Sequence, residues 1–117
     1  MKKIQYGKEV TLTDRQRENS RILKYFVTES PVGFGYSELK CYGIEIEKTD
    51  RKTGMKDIRE CKSIDGIFFD IEDAIAFLSV IKKNRILPTE LSVVLEKYIR
   101  DKIKKHREET STAANSI

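Results

Sequence analysis

The chain has 117 residues, sufficient for one domain and too few for two. It is 38% hydrophobic and 36% charged, with 2 prolines and 6 glycines, a balance that excludes a disordered, collagen-like or low-complexity chain. Its 23 basic and 19 acidic residues leave a net charge of +4, which permits an acidic partner without demanding one.

Residues 1–20 are polar and charged and read as a basic N-terminal arm, with a short edge strand near 8–12 from the alternation in Val10-Thr11-Leu12-Thr13. The β-branched and aromatic run within Arg21–Thr28 predicts a strand, broken by Pro31, Gly33 and Gly35. Leu39 to Lys48 alternates again, placing Tyr42, Ile44 and Ile46 on one face, and the polar stretch Thr49–Gly54 predicts a turn. Met55 to Ile64 makes a third strand, less hydrophobic and therefore nearer an edge.

Asp70 is the expected N-cap of a helix whose stripe is Ile71, Ala74, Ile75, Leu78 and Ile81. After Leu87-Pro88, Thr89 is expected to cap a second helix carrying Leu91, Val94, Leu95, Tyr98 and Ile99 on one face. Lys102 falls on that same face, so the helix is expected to leave the core there. The result is an α+β domain over residues 21–101, an antiparallel meander of three to four strands with two C-terminal helices packed on one face. Residues 102–117 form a basic, fraying tail.

Charge is concentrated at the ends. Residues 1–21 hold 6 basic and 3 acidic side chains, residues 97–117 the same, and the middle 11 basic and 13 acidic. The C-terminal set Lys97, Arg100, Lys102, Lys104, Lys105 and Arg107 are the candidates for phosphate contacts, although no aromatic follows Tyr98 to stack on bases. A solvated helix face is the plainer reading.

Chemistry-bearing motifs are scarce. Gly33-Phe34-Gly35 lacks the third glycine and the following helix of a phosphate loop. The stretch from Asp50 puts Lys52 where a calcium loop needs an oxygen ligand. Asp65, Asp70, Glu72 and Asp73 suggest a hard-cation cluster, but helix capping accounts for Asp70 and Asp73, and the first-turn charge preference for Glu72. His106 alone supplies neither a zinc site nor a triad base. A hairpin turning at 51–52 would make Cys41 and Cys61 cross-strand neighbours, read as packing residues rather than a redox pair. No catalytic constellation, cofactor or metal site emerges, and no enzyme is expected.

Phe77 and Val80 lie off the main stripe of the first helix, and Val93 off that of the second. Either the other helix covers them or they form an apolar patch for a protein partner or a second copy. No run reaches the ~18 apolar residues of a membrane helix. Gln5, Lys8 and Glu9 interrupt any signal-peptide core after Met1-Lys2-Lys3, so a cytoplasmic protein with reduced thiols and no membrane partner is expected.

Over about residues 22–100 the chain resembles a family of small uncharacterised bacterial proteins, a domain of unknown function. The likeness rests on Tyr42-Gly43-Ile44-Glu45-Ile46 and on Ile86-Leu87-Pro88 before Leu91 to Ile99. It implies a small bacterial, cytoplasmic protein and brings no activity, cofactor or catalytic residue with it. The functional expectation is a non-enzymatic interaction or regulatory module, self-associating through helix residues or a sheet edge. The alternative is nucleic-acid binding through the basic ends.

Overall fold

The computed structural model describes residues 2–5, 7, 9–14, 19–32 and 39–115. The elements are β1 (Lys2–Gln5), β2 (Val10–Asp14), β3 (Asn19–Pro31), β4 (Lys40–Lys52), β5 (Ile58–Phe68) and α1 (Ile71–Lys83), followed after a 3-10 turn at Pro88–Glu90 by α2 (Leu91–Asn115). All strand pairs are antiparallel, in the order β1-β3-β4-β5, with β2 also paired to β3. The α+β class read from the sequence is the observed one.

Side-chain alternation decides the faces of this sheet. Leu23, Tyr25 and Val27 of β3 stand beside Lys48, Ile46 and Ile44 of β4 on the helix-covered face. Ile22, Lys24, Phe26 and Thr28 point the other way, beside Thr49, Glu47, Glu45 and Gly43. Hydrophobic side chains on the first face are buried against Ala74, Phe77, Leu78 and Ile81 of α1 and Leu91 and Leu95 of α2. Burial of this kind contributes about 1.5–3 kcal/mol for each large side chain, before chain entropy is charged against it.

Of residues 1–20, expected as an arm with a short edge strand near 8–12, Lys2–Gln5, Val10–Asp14, Asn19 and Ser20 belong to the sheet. β1 pairs with Phe26–Glu29 of β3 and β2 with Asn19–Leu23, so both lie along one edge. β1 ends opposite Phe26 and β2 begins opposite Leu23, so the edge is divided where Lys24 and Tyr25 lie between them. Gly7 takes a φ of 74° there, and a Cβ at this position would run into the Lys82 ammonium of α1. β2 is the edge strand expected near 8–12, whereas polar composition hid β1, because an edge strand exposes much of its surface and needs little hydrophobicity.

The β4–β5 hairpin also turns later than expected. Thr49 to Lys52 remain in β4, held by cross-strand ion pairs such as Arg21–Asp50 at 2.8 Å and Lys48–Glu60 at 3.2 Å. The turn forms around Gly54, at a φ of 77°, and Met55 N–H donates to the Lys52 carbonyl at 3.0 Å. Cys61 therefore pairs with Glu47, and Cys41 with Ser30, leaving the thiols roughly 20 Å apart along the sheet and both free.

Asp70 caps α1 as expected, its carboxylate accepting the Glu72 N–H at 3.0 Å. Thr89 is not a cap: it lies inside the 3-10 turn, where the Glu90 carboxylate accepts the Leu87 N–H at 2.9 Å. Phe77 has no exposed surface and lies between Phe68 (5.9 Å between ring centroids) and Tyr98 (4.8 Å). It joins α1, α2 and the end of β5, which removes it from the candidate interface. Beyond Tyr98 the apolar face of α2 loses its cover, with Ile99 and Ile103 exposed, yet the backbone stays helical to Asn115.

Candidate functional site

Local geometry makes the two edges of the sheet unlike each other. On the β5 side, Gly43 lets the neighbouring strand approach: a Cβ there would overlap the Ile64 carbonyl oxygen and lie 2.6 Å from Asp65 Cα and 2.7 Å from Thr28 Oγ1. The register shifts between Tyr42 and Ile44, and Gly66 adopts a φ of 67° in the resulting bulge. The bulge places the Asp65 carboxylate to accept hydrogen bonds from fully buried Thr28 (3.0 Å) and from Ser63 (3.1 Å). Asp65 is thereby assigned a structural hydrogen-bonding role.

Before the bulge β5 is regular, and residues 58–63 are all exposed. Among the described strands it pairs with β4 alone. Ile58, Glu60, Lys62 and Ile64 point toward the helix face, and Arg59, Cys61 and Ser63 toward the open face. Ile58 is 54% exposed, unusual for an isoleucine inside a strand. Beside the edge is a groove of about 440 Å³ lined by Glu60, Cys61, Lys62, Pro88, Thr89 and Ser92.

The open face next to β5 carries an ionic cluster. Lys3 of β1 reaches over Phe26, 4.5 Å from its ring centroid, to Glu45 at 2.6 Å and Glu47 at 2.8 Å. Those hydrogen bonds, to Glu45 first and Glu47 second, hold the Lys3 ammonium well above the ordinary lysine range. Cys61 lies beside the same carboxylates, and burial, followed by the charges of Glu45 and Glu47, pushes its thiol up. It is therefore a poor nucleophile at neutral pH. Ligand atoms of Glu45, Glu47 and Cys61 lie within 4.8 Å of one another, a spacing compatible with a cation. Lys3 bridges both carboxylates, so the cluster acts as an ionic clasp between β1 and β4.

At the end of the sheet, the Arg21 guanidinium hydrogen-bonds Asp50 and holds its carboxyl below the usual carboxylate range. Burial pushes the Tyr25 phenol up to about 12, and its O–H donates to the Ile86 carbonyl at 2.9 Å. Both groups tie structural elements together.

The remaining sequence candidates are scattered. Val80 is 40% exposed on α1 and Val93 70% exposed on α2. Lys97, Arg100 and Lys104 recur at helical spacing on α2, where all three are exposed. Arg100 is engaged by Glu96 at 2.6 Å. Lys102 turns back to Asp73 at 3.9 Å and to the Tyr98 ring, 5.0 Å from its centroid. Lys105 is exposed, and Arg107 lies outside the residues whose side chains are described. Sequence reasoning placed the third strand near an edge but singled out none of Ile58, Glu60 and Lys62, and read Cys61 as a packing residue. The alternation of opposite charges in Glu60-Cys61-Lys62 was the available signal.

Among the described residues, no helix is long and apolar enough to cross a membrane. No curated protein and no solved structure matches the chain. A family model does match over residues 1–101, and the chain belongs to that family of unknown function, DUF6514. The matched region includes β1 and β2 and ends inside α2, shortly after Tyr98 makes the last ring contact with the core.

Proposed function

We propose that this member of the family is a non-enzymatic interaction module that engages a protein partner by strand addition at β5. The observation that carries the reading is the regular, exposed edge from Ile58 to Ser63, bordered by a groove. An added strand gains main-chain hydrogen bonds from such an edge, while side chains facing the groove supply selectivity. The polar groups of the open face favour this reading over catalysis. Lys3 is bound to two carboxylates, and Cys61 has a raised thiol. The proposed setting is the bacterial cytoplasm, consistent with two free cysteines.

The test is a photo-activatable side chain placed in turn at Arg59 on β5 and at Ser79 on the exposed side of α1, with irradiation of cells producing the protein. Discrete adducts from position 59 and none from 79 are expected. Absence of any adduct from 59, or equal yields from both positions, contradicts strand addition at β5.

A second reading, nucleic-acid binding, draws on one observation, the exposed spacing of Lys97, Arg100 and Lys104 on α2. It requires affinity for labelled DNA or RNA that falls steeply with salt and is lost in Lys97→Glu/Lys104→Glu. No binding at low salt removes it.

A further inference from the structure

We infer that the strand added to β5 is β5 of a second copy of this chain, antiparallel and centred on Cys61. The inference rests on the strand-addition reading and names its occupant. A two-fold axis through Cys61 sets Glu60 opposite Lys62 of the second copy, and Lys62 opposite its Glu60. The same register opposes Ile58 to Ile64 and Arg59 to Ser63, so like-facing side chains meet on each face. The exposed Ile58 then gains an apolar neighbour at each end of the junction.

Neighbouring registers are worse. Centring the pair on Glu60 brings the two Glu60 carboxylates together, and centring it on Lys62 does the same with two ammonium groups. A slip to a centre between residues sets Glu60 opposite Cys61 or Ser63 and turns the helix layers to opposite faces. Within the regular segment Ile58–Ile64, only the Cys61-centred register opposes unlike charges twice while keeping both helix layers on one side. Glu60 is 44% exposed at its side chain and touches Lys48 at 3.2 Å, leaving carboxylate surface for a second cation. Lys62 has no ion-pair partner among the described residues.

The opposite edge does not offer the same junction. That edge is divided between two strands, β1 ending opposite Phe26 and β2 beginning opposite Leu23, and Lys82 stands against Gly7 between them. Assembly through β5 alone closes at two copies, because each chain contributes one such edge. The product is a continuous sheet with helices on one face.

Sedimentation equilibrium of the full chain tests the inference. A monomer–dimer equilibrium is expected for the native sequence. Glu60→Lys and Lys62→Glu are each expected to weaken it by roughly ten- to thirty-fold, since each reverses two symmetry-related pairs. The double exchange Glu60→Lys/Lys62→Glu is expected to restore it to within about three-fold, a rescue that loss of folding does not produce. Circular dichroism verifies that each variant is folded. In a second arm, diamide takes one hydrogen from each of two opposed thiols and is reduced to its hydrazine as the disulfide forms. Covalent dimer is expected from the native chain and from Cys41→Ser, and not from Cys61→Ser, because opposed antiparallel positions lie within disulfide reach. A strict monomer at the highest soluble concentration, or a dimer indifferent to both charge reversals, overturns the inference. If position 59 then still yields adducts to another protein, strand addition stands and only the occupant is wrong. If it yields none, both fall.

Discussion

The two edges of this sheet meet the same physical hazard with different solutions. An unpaired strand edge invites another strand, and proteins commonly break, cover or charge it. Along β3 the edge is divided between β1 and β2 and clasped by Lys3. Along β4 the edge is one strand, regular from Ile58 to Ile64, with opposite charges on either side of Cys61. One edge is organised against pairing, whereas the other is patterned for one register of it. The lesson is that edge charges do not by themselves mean protection, since their order along the strand decides whether they repel or match.

The largest way to disturb this contrast is Gly43→Ala. A methyl group there meets the backbone of β5, which can retreat only by separating from β4, so a loss of about 3 kcal/mol is expected in urea denaturation. Stability equal to the native chain would mean that β5 is not held as closely as described. Thr28→Val is next. It keeps the shape but removes the buried hydroxyl that Asp65 accepts from, and about 1–2 kcal/mol should be lost. A neutral outcome would detach the bulge from the β5 account.

On the other edge, Gly7→Ala forces a side chain into a positive-φ position and should cost about 1 kcal/mol. Lys3→Met removes the clasp and should cost about the same, discounted because Lys3 is 39% exposed. Its pH dependence has a definite sign. The folded-state Lys3 pKa is raised by Glu45 and Glu47, so its stabilisation is present below the ordinary lysine value and fades as pH rises through the folded one. Native and variant stabilities should therefore converge in strong alkali, and a gap that widens there would contradict the clasp. Both changes should leave self-association intact. The smallest effect is expected from Arg100→Ala, within about 0.5 kcal/mol, because its ion pair with Glu96 is exposed on the free part of α2.

The helices were legible because a 3.6-residue stripe and an Asp cap are written locally, as Ala74, Leu78, Ile81 and Asp70 show. Of the two readings offered for Phe77, cover by the second helix is the observed one, and a single stripe could not choose between them. α1 packs against the sheet and against Tyr98 of α2, so its buried arc is wider than a single contact requires. β2 was legible from the alternation in Val10-Thr11-Leu12-Thr13, whereas β1 was hidden by charged, polar side chains, which an edge position tolerates. The hairpin turn was misplaced because Asp50, Arg51 and Lys52 look like loop residues until their cross-strand partners are known. That error also brought Cys41 and Cys61 together falsely and obscured the symmetry about Cys61. Self-complementarity of a strand is visible only once its edge position and facing are fixed.

Amide hydrogen exchange, read residue by residue across Ile58–Ile64 at low and high protein concentration, tests the role of β5 most directly. The account predicts that alternate amides of this segment, those pointing away from β4, gain protection as concentration rises, while those of β1 and β2 do not change. Protection that grows on α2 or on the β1–β2 edge, with β5 unchanged, would contradict it.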